Sequence, residues 1–160
     1  MKTFLFLVLL IAAGLYFYHS HVGGPPRVFE NPVYGEIRLT ANLQGRDIEA
    51  ALFVRSEDEI DCRERALRSW TKTLQTCPTC TLHPVKCQAQ LPARYARLFN
   101  DEPIPSTYLS ASAGNAGERD GRMVIYGLTD QEGEVACETL RSKILESYAG
   151  TAHCVKASGG

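Results

Sequence analysis

The residues best suited to chemistry lie in one short run, Cys77-Pro78-Thr79-Cys80, with His83 and Cys87 close behind. Their spacing is compatible with zinc and is similar to that of bacterial iron–sulfur sites, with His in the third place. A reactive Cys-x-x-Cys pair normally lies at a helix N-terminus, where the dipole lowers the thiolate pKa, whereas this pair follows a predicted helix. We therefore predict a structural disulfide between Cys77 and Cys80. A metal site at Cys77, Cys80, His83 and Cys87, or thiol exchange, is the alternative.

Other motifs of catalysis and cofactor binding are missing from the sequence. It has no nucleophile elbow, no His-Glu-x-x-His and no Walker loop. Gly114-x-x-Gly117 lies in a hydrophilic stretch and not between a strand and a helix. We therefore expect a non-enzymatic protein that uses no cofactor and has no catalytic residues.

An almost uncharged run, residues 3–18, follows Lys2. As a helix it spans about 24 Å, slightly less than the roughly 30 Å hydrocarbon layer. The small triplet Ala12-Ala13-Gly14 is followed by further apolar residues, which favours an uncleaved anchor in residues 1–18 over a cleaved signal sequence. Lys2 predicts an N-in orientation, so we expect a single-pass inner-membrane protein with a periplasmic C-terminal domain. A secreted or periplasmic protein, released by cleavage, is the alternative.

The remainder has the usual size of one domain. Residues 19–35 contain Gly23-Gly24-Pro25-Pro26, which resists helix and strand, so we predict a linker there. We assign residues 36–157 to a single extracytoplasmic domain and 158–160 to a tail. The formal net charge of -1 argues against a nucleic-acid partner.

Hydrophobic periodicity predicts the elements of this domain. They are a hairpin at 37–43 and 48–54, a helix from Ser56 to about Thr76, a strand at 85–91, strands at 108–112 and 122–128, a helix from Thr129 to Tyr148, and a last strand at 151–156. Both helices begin with a capping-box pattern, Ser56 with Glu59 and Thr129 with Glu132. The apolar stripe of the first helix comprises Ile60, Cys62, Ala66, Leu67, Trp70 and Leu74.

This order contains a strand–helix–strand unit twice. It predicts an α+β, ferredoxin-like split βαβ repeat with an extra N-terminal hairpin strand, a central insertion and helices on one sheet face. In each half, a helix cysteine and a cysteine of the returning strand lie at similar distances from the connecting loop. We therefore predict disulfides Cys62–Cys87 and Cys137–Cys154, beside Cys77–Cys80. Disulfides require an oxidising compartment, in agreement with export.

Two stretches resemble the sporulation-related repeat (SPOR) domain. They are Arg122-Met-Val-Ile-Tyr-Gly-Leu-Thr129 with the helix after it, and Leu52-Phe-Val-Arg55 with its acidic-started helix. The resemblance implies two βαβ halves, a tether to the bacterial inner membrane, and binding of peptidoglycan glycan strands on the sheet face. It assigns no individual binding residue.

Together these observations predict a membrane-tethered domain of the cell envelope that binds another envelope component. Its partners would be the inner membrane, through residues 3–18, and an envelope protein or peptidoglycan. A sheet face, if uncovered, would be the contact surface. A SPOR-like peptidoglycan-binding module and a thiol-redox or metal-binding protein are the alternatives.

Overall fold

The computed structural model describes residues 24–43, 45–77 and 80–158, so the predicted anchor at residues 3–18 lies outside it. The described chain is an α+β fold with one antiparallel sheet of seven strands and three α-helices. All six cysteines are joined in disulfides. None of the helices in these ranges has the length and apolar character needed to cross a bilayer.

The predicted elements occur in the predicted order, and the short strand Thr81–Leu82 is an addition. The strands are β1 (Val33–Leu43), β2 (Arg46–Ser56), β3 (Thr81–Leu82), β4 (Lys86–Gln88), β5 (Tyr108–Ser112), β6 (Gly121–Tyr126) and β7 (Thr151–Val155). The helices are α1 (Glu59–Thr76), α2 (Ala93–Ala96) and α3 (Asp130–Ile144), and a 3-10 turn, Arg97–Asn100, follows α2 directly. β4 is shorter than the predicted strand at 85–91, because the chain bends at Ala89 and Gln90 before it reaches α2.

The predicted hairpin is formed by β1 and β2, and it is longer than expected. Its register pairs Val33 with Ser56 at the open end, so β1 begins inside the segment predicted as a linker. At the tip, Gly45 adopts a φ of 82°, a conformation that glycine reaches without steric cost. The backbone N–H of Gly45 donates to Asn42 Oδ1 at 3.1 Å, which closes the turn.

The first capping box is not formed as predicted. Ser56 belongs to β2, and its buried hydroxyl has no hydrogen-bond partner among the described residues. Asp58 instead accepts a hydrogen bond from the backbone N–H of Asp61 at 2.8 Å and caps α1. Because β2 extends to Ser56 and not only to the predicted residue 54, the cap of α1 lies at Asp58, two residues after the predicted position.

The predicted apolar stripe of α1 is divided between two sides of the helix. Cys62 and Ala66 are buried against the sheet, whereas Ile60 is 70% exposed and Leu67 is 64% exposed. Positions 62 and 66 are one turn apart and share a face, and Ile60 and Leu67 lie well around the helix from them. The buried face is therefore narrower than predicted. The side chains of Trp70 and Leu74 lie outside the described part of the chain.

The second capping box, at α3, is present. Thr129 accepts from the backbone N–H of Glu132, while Glu132 accepts from the backbone N–H of Thr129 at 2.9 Å. Arg46, at the tip of the first hairpin, also donates to Glu132 at 2.8 Å. The side-chain hydrogen bond from Arg46, together with those from Thr129, lowers the pKa of Glu132 to about 2. The start of α3 is thus tied to the first half of the molecule.

The sheet consists of two similar halves. The strand order is β3-β1-β2-β6-β5-β7, and β4 also pairs with β1. Since β2 and β4 are both antiparallel to β1, they are parallel to each other, and α1 connects them. β6 and β7 have the same relation across β5, with α3 as their connection. Each half is a hairpin, a helix and a returning strand, and β2 pairs with β6 at the centre.

The ferredoxin-like details of the prediction are not confirmed. The prediction has the first hairpin strand as an addition and the region before β6 as an insertion. In the structure, β1 and β5 hold equivalent places, each between the two strands that one helix connects. Alternation along a strand shows which residues share a face, but it does not show which strand lies beside it.

The two long helices pack on one face of the sheet. Residues directly opposite each other on paired strands share a face, and Leu52, Met123 and Leu109 are such partners across the centre. Cys62 of α1 and Cys137 of α3 are both buried on this side. α1 and α3 therefore share one face, whereas the short α2 lies on the other, so the helices are not all on one face as predicted.

The other face is covered by the segment from α2 to β5. Its core comprises Ala51, Phe53, Tyr95, Leu98, Ile104, Tyr108, Val124 and Val155. The Phe53 and Tyr95 ring centroids are 4.4 Å apart, and buried Arg122 donates to the backbone oxygen of Leu98 at 2.9 Å. The uncovered sheet face expected as a contact surface is therefore not found at the centre of the described sheet.

Candidate functional site

The six cysteines lie in the pairs expected from the sequence. Cys62 on α1 is bonded to Cys87 on β4, and Cys137 on α3 is bonded to Cys154 on β7. In each half the disulfide therefore joins the helix to its own returning strand. These bonds account for four of the candidate residues as structural groups.

The Cys77–Cys80 pair is a disulfide at the end of α1. The backbone N–H of Cys80 donates to the Cys77 carbonyl at 3.1 Å. His83 lies beside β1, where one of its ring nitrogens is 3.3 Å from Thr40 Oγ1. The structure does not bring Cys87 to this pair as a free thiolate, since it is bonded to Cys62. In the three described ranges, no group of three or more His, Cys, Asp or Glu residues is placed to hold a metal ion.

A polar cleft opens between the N-terminal segment, the open end of the first hairpin and the 3-10 turn. Its volume is about 620 Å³, within the range of small-molecule sites. We call it the polar cleft. The polar and aromatic side chains in its lining include Asn31, Tyr34, Arg55, Gln90, Phe99 and Asn100. Of these residues, only Arg55 belongs to a stretch that resembles the SPOR domain, Leu52-Phe-Val-Arg55, and no binding role was assigned to it.

The wall of the polar cleft is built around Phe99. The Tyr34 ring meets it edge-on, with the ring centroids 5.3 Å apart. The guanidinium carbons of Arg55 and Arg122 lie 5.1 Å and 4.9 Å from the Phe99 centroid. Cation–π contacts of this kind hold an aromatic ring in one orientation. The cleft therefore has an ordered aromatic wall rather than a collapsible one.

A second concavity lies on the helix side, between α1 and α3. Its volume is about 550 Å³ and its lining includes Leu52, Leu109, Met123 and Ile144. These apolar residues lie over the seam between the two halves, and we call this concavity the apolar groove. Nothing in the described chain identifies an occupant for it.

An ion-pair cluster lies at the rim of the apolar groove. Asp61 accepts from Arg65 at 2.6 Å and from Arg119 at 2.9 Å, and the backbone N–H of Glu57 donates to it at 3.0 Å. Burial alone would raise the pKa of Asp61, but these hydrogen bonds outweigh it and the pKa is lowered. The cluster joins α1 to the loop before β6.

Part of the predicted linker packs against the domain. The backbone N–H of Ala116 donates to the Gly24 carbonyl at 3.0 Å, and Arg27 pairs with Glu57 at 3.1 Å. Farther along, the Arg119 guanidinium lies 5.0 Å from the centre of the Phe29 ring. The Gly-Pro composition excluded helix and strand here, but it could not show that an irregular segment has docking partners.

Comparison with models of known protein families, with curated proteins and with solved structures finds no match to this chain. The candidate site is the polar cleft, because it combines an ordered aromatic wall with several hydrogen-bonding side chains. The sequence shows that Tyr34 and Phe99 are aromatic, but it does not show that they are in contact. They are separated by 65 positions (99 − 34), and only the fold brings them together.

Proposed function

We propose that the protein is a non-enzymatic domain, tethered to the inner membrane of a bacterial cell, that binds another component of the envelope on the periplasmic side. The observation that carries the proposal is the set of three disulfides behind an apolar N-terminal run. Disulfides persist in the periplasm and are rare in the cytosol. An apolar run with a cation on its N-terminal flank supports a tether with the domain outside.

The length of the tether supports a position close to the membrane. Five residues, 19–23, lie between the apolar run and Gly24, the first described residue, which is bound to Ala116. Five residues span at most about 18 Å even when fully extended. The domain would therefore stay near the bilayer, with the loop that contains Ala116 on the side nearest to it.

The polar cleft supports a binding role. It has the volume of a small-molecule site, and its side chains offer donors and acceptors beside two aromatic rings. These features favour recognition of a ligand.

The two alternatives from the sequence have less support. A SPOR-like module would bind glycan on its sheet face, and here the centre of that face is covered by Tyr95 and Leu98. Thiol exchange at Cys77 and Cys80 would take place at the C-terminal end of α1, where the helix dipole disfavours a thiolate. A Cys80→Ser variant tests the second alternative, because an exchange role predicts that it traps a partner through Cys77.

Protease access in spheroplasts tests the proposed location. We expect the chain to remain in the membrane fraction, and its domain to be digested from outside without lysis. We also expect its thiols to react with an alkylating reagent only after reduction. A variant with Val8→Arg and Leu10→Arg serves as the control, since two charges in the apolar run should abolish membrane retention. Protection of the domain in intact spheroplasts, or six free thiols in the native chain, would refute the proposal.

A further inference from the structure

The polar cleft is suited to an uncharged ligand rich in hydroxyl groups. We propose that it binds a neutral oligosaccharide of the cell envelope. The inference deepens the proposed function and rests on it, since periplasmic exposure is what would bring such a ligand to the cleft. It concerns the cleft beside Phe99 and not the sheet face.

The charges around the cleft argue against an anionic ligand. Arg55 is its cationic group, and this side chain is already paired with Asp120 at 3.3 Å. Glu30, at the rim, adds a negative charge. A phosphate or carboxylate site needs an excess of cationic donors, which these three residues do not supply. The balance of charge therefore favours a neutral ligand.

The hydrogen-bonding groups around the cleft are mainly carboxamides. Asn31, Gln90 and Asn100 are exposed at its rim, and an amide has two donor hydrogens and one acceptor oxygen. The Asn100 amide already donates one hydrogen to Glu102 Oε1 at 3.2 Å, which leaves its second hydrogen and its oxygen for a ligand. The hydroxyl groups of a sugar also donate and accept hydrogen bonds. The carboxamides at the rim therefore suit the hydrogen-bonding groups of a sugar better than those of an ion. An apolar ligand that covered these amides would displace their water without replacing its hydrogen bonds, which costs free energy.

The aromatic wall adds the second requirement of a sugar site. Tyr34 is half-buried and meets Phe99 at 5.3 Å, and the guanidinium groups of Arg55 and Arg122 hold Phe99 in place. These guanidinium groups already lie over the Phe99 ring, so Tyr34 is the ring left for a ligand. The face of an aromatic ring is electron-rich, so it attracts the polarised C–H groups on the face of a pyranose ring. Because the wall is ordered before binding, little conformational entropy is lost when a ligand is bound.

Two donors near the cleft lack acceptors among the described residues. Arg55 Nε and Gln88 Nε2 are both buried without a hydrogen-bond partner. Arg55 lines the cleft, and Gln88 on β4 is paired with Tyr34 in the sheet register. Unsatisfied buried donors are uncommon in folded proteins and often mark a functional site. A modest shift on binding would give Arg55 an acceptor oxygen from the ligand.

Saturation-transfer NMR on the full chain in phospholipid nanodiscs tests the proposal. The probes are two neutral sugars, chitotetraose and maltotetraose, and one anionic sugar, tetragalacturonate. We expect at least one neutral sugar to bind, with a dissociation constant of about 1 mM or lower, and tetragalacturonate to bind more weakly. Tyr34→Ala and Asn100→Ala should each weaken that binding about fivefold, the effect of losing one stacking or hydrogen-bonding contact.

Asn42→Ala is the matched control, because Asn42 lies at the hairpin tip away from the cleft lining and should leave sugar affinity unchanged. Asn100 is exposed, so its variant should fold even if Tyr34→Ala does not. The proposal is overturned if neither neutral sugar binds, if only tetragalacturonate binds, or if Asn100→Ala binds as well as the native chain. The spheroplast experiment is independent, so a correctly exported chain that binds no sugar would refute this inference alone.

Discussion

The three disulfides should stabilise the fold to very different extents, because they close loops of very different length. Cys62–Cys87 has a sequence separation of 25, Cys137–Cys154 of 17 and Cys77–Cys80 of 3. The chain-entropy relation then gives about 3.5, 3 and 1.5 kcal/mol respectively. A typical domain has a free energy of unfolding of about 5–15 kcal/mol, so the first two bonds supply a large share of it.

The perturbation is to replace both cysteines of one pair by alanine, one pair at a time. We expect Cys62→Ala with Cys87→Ala to lower the free energy of unfolding by about 3.5 kcal/mol. For a domain of this size the unfolding temperature would fall by about 10–15 °C. Buried Cys62 also lies against Gly35, so the loss of its sulfur leaves a small cavity and adds to the effect.

The assay is urea unfolding of the full chain in nanodiscs, followed by far-UV circular dichroism, with thermal melts beside it. The matched control is Cys77→Ala with Cys80→Ala, which removes the same number of sulfur atoms but opens only a short loop. The urea midpoint of this control should decrease by less than half of the decrease expected for the Cys62→Ala, Cys87→Ala variant. The reasoning is refuted if both double variants lose equal stability, or if opening the long loop costs less than about 1 kcal/mol.

Three further predictions follow from single side chains. Arg38→Met should lower the free energy of unfolding by about 2–3 kcal/mol in urea titrations, because the buried carboxylate of Glu36 loses its guanidinium partner, and adding Glu36→Gln should restore at least half. Asp61 has a folded-state pKa below its ordinary value of 3.8, so its stabilising effect is complete well above pH 3.8 and is lost as the pH falls from there through the folded-state pKa. The stability difference between the native chain and Asp61→Asn should therefore shrink between pH 7 and pH 3, and a constant difference would contradict the ion-pair assignment. Gly127→Ala should cost about 2–3 kcal/mol, since its φ is 87° and a Cβ would lie 2.5 Å from the Asp47 carbonyl oxygen. Gly45→Ala, with a φ of 82° but nothing within 4 Å, should cost only about 1 kcal/mol in the same unfolding assay, and equal losses would contradict the steric argument.

The sequence could predict features that depend on neighbours along the chain. The alternation in β1 and β2 depends on a two-residue period, and the capping box at Thr129 and Glu132 depends on a three-residue spacing. The two disulfides between a helix and its returning strand, Cys62–Cys87 and Cys137–Cys154, could also be predicted. A helix and its returning strand run back along each other, so cysteines at similar distances from the connecting loop must meet.

The polar cleft could not be predicted in this way. Tyr34, Arg55 and Phe99 lie on three elements, and no local pattern relates them. The cap of α1 also differs from the prediction. Asp58 caps the helix in place of Ser56, because β2 extends to Ser56, and the length of β2 depends on tertiary packing. The pattern of apolar and polar residues along the chain restricts which residues can be buried. Tertiary packing then selects one of the arrangements that satisfy this pattern.

Taken alone, the amino-acid sequence determined the α+β class, the order of elements and the cysteines that pair, because periodicity and loop length act within a short stretch of chain. Tertiary structure decided the strand order, the coverage of the second sheet face and the existence of the polar cleft. These depend on which strand becomes the neighbour of β1 and β5. Which strands become neighbours depends on packing between residues that are distant in the sequence. The periodicity of apolar residues within a strand carries no information about this pairing.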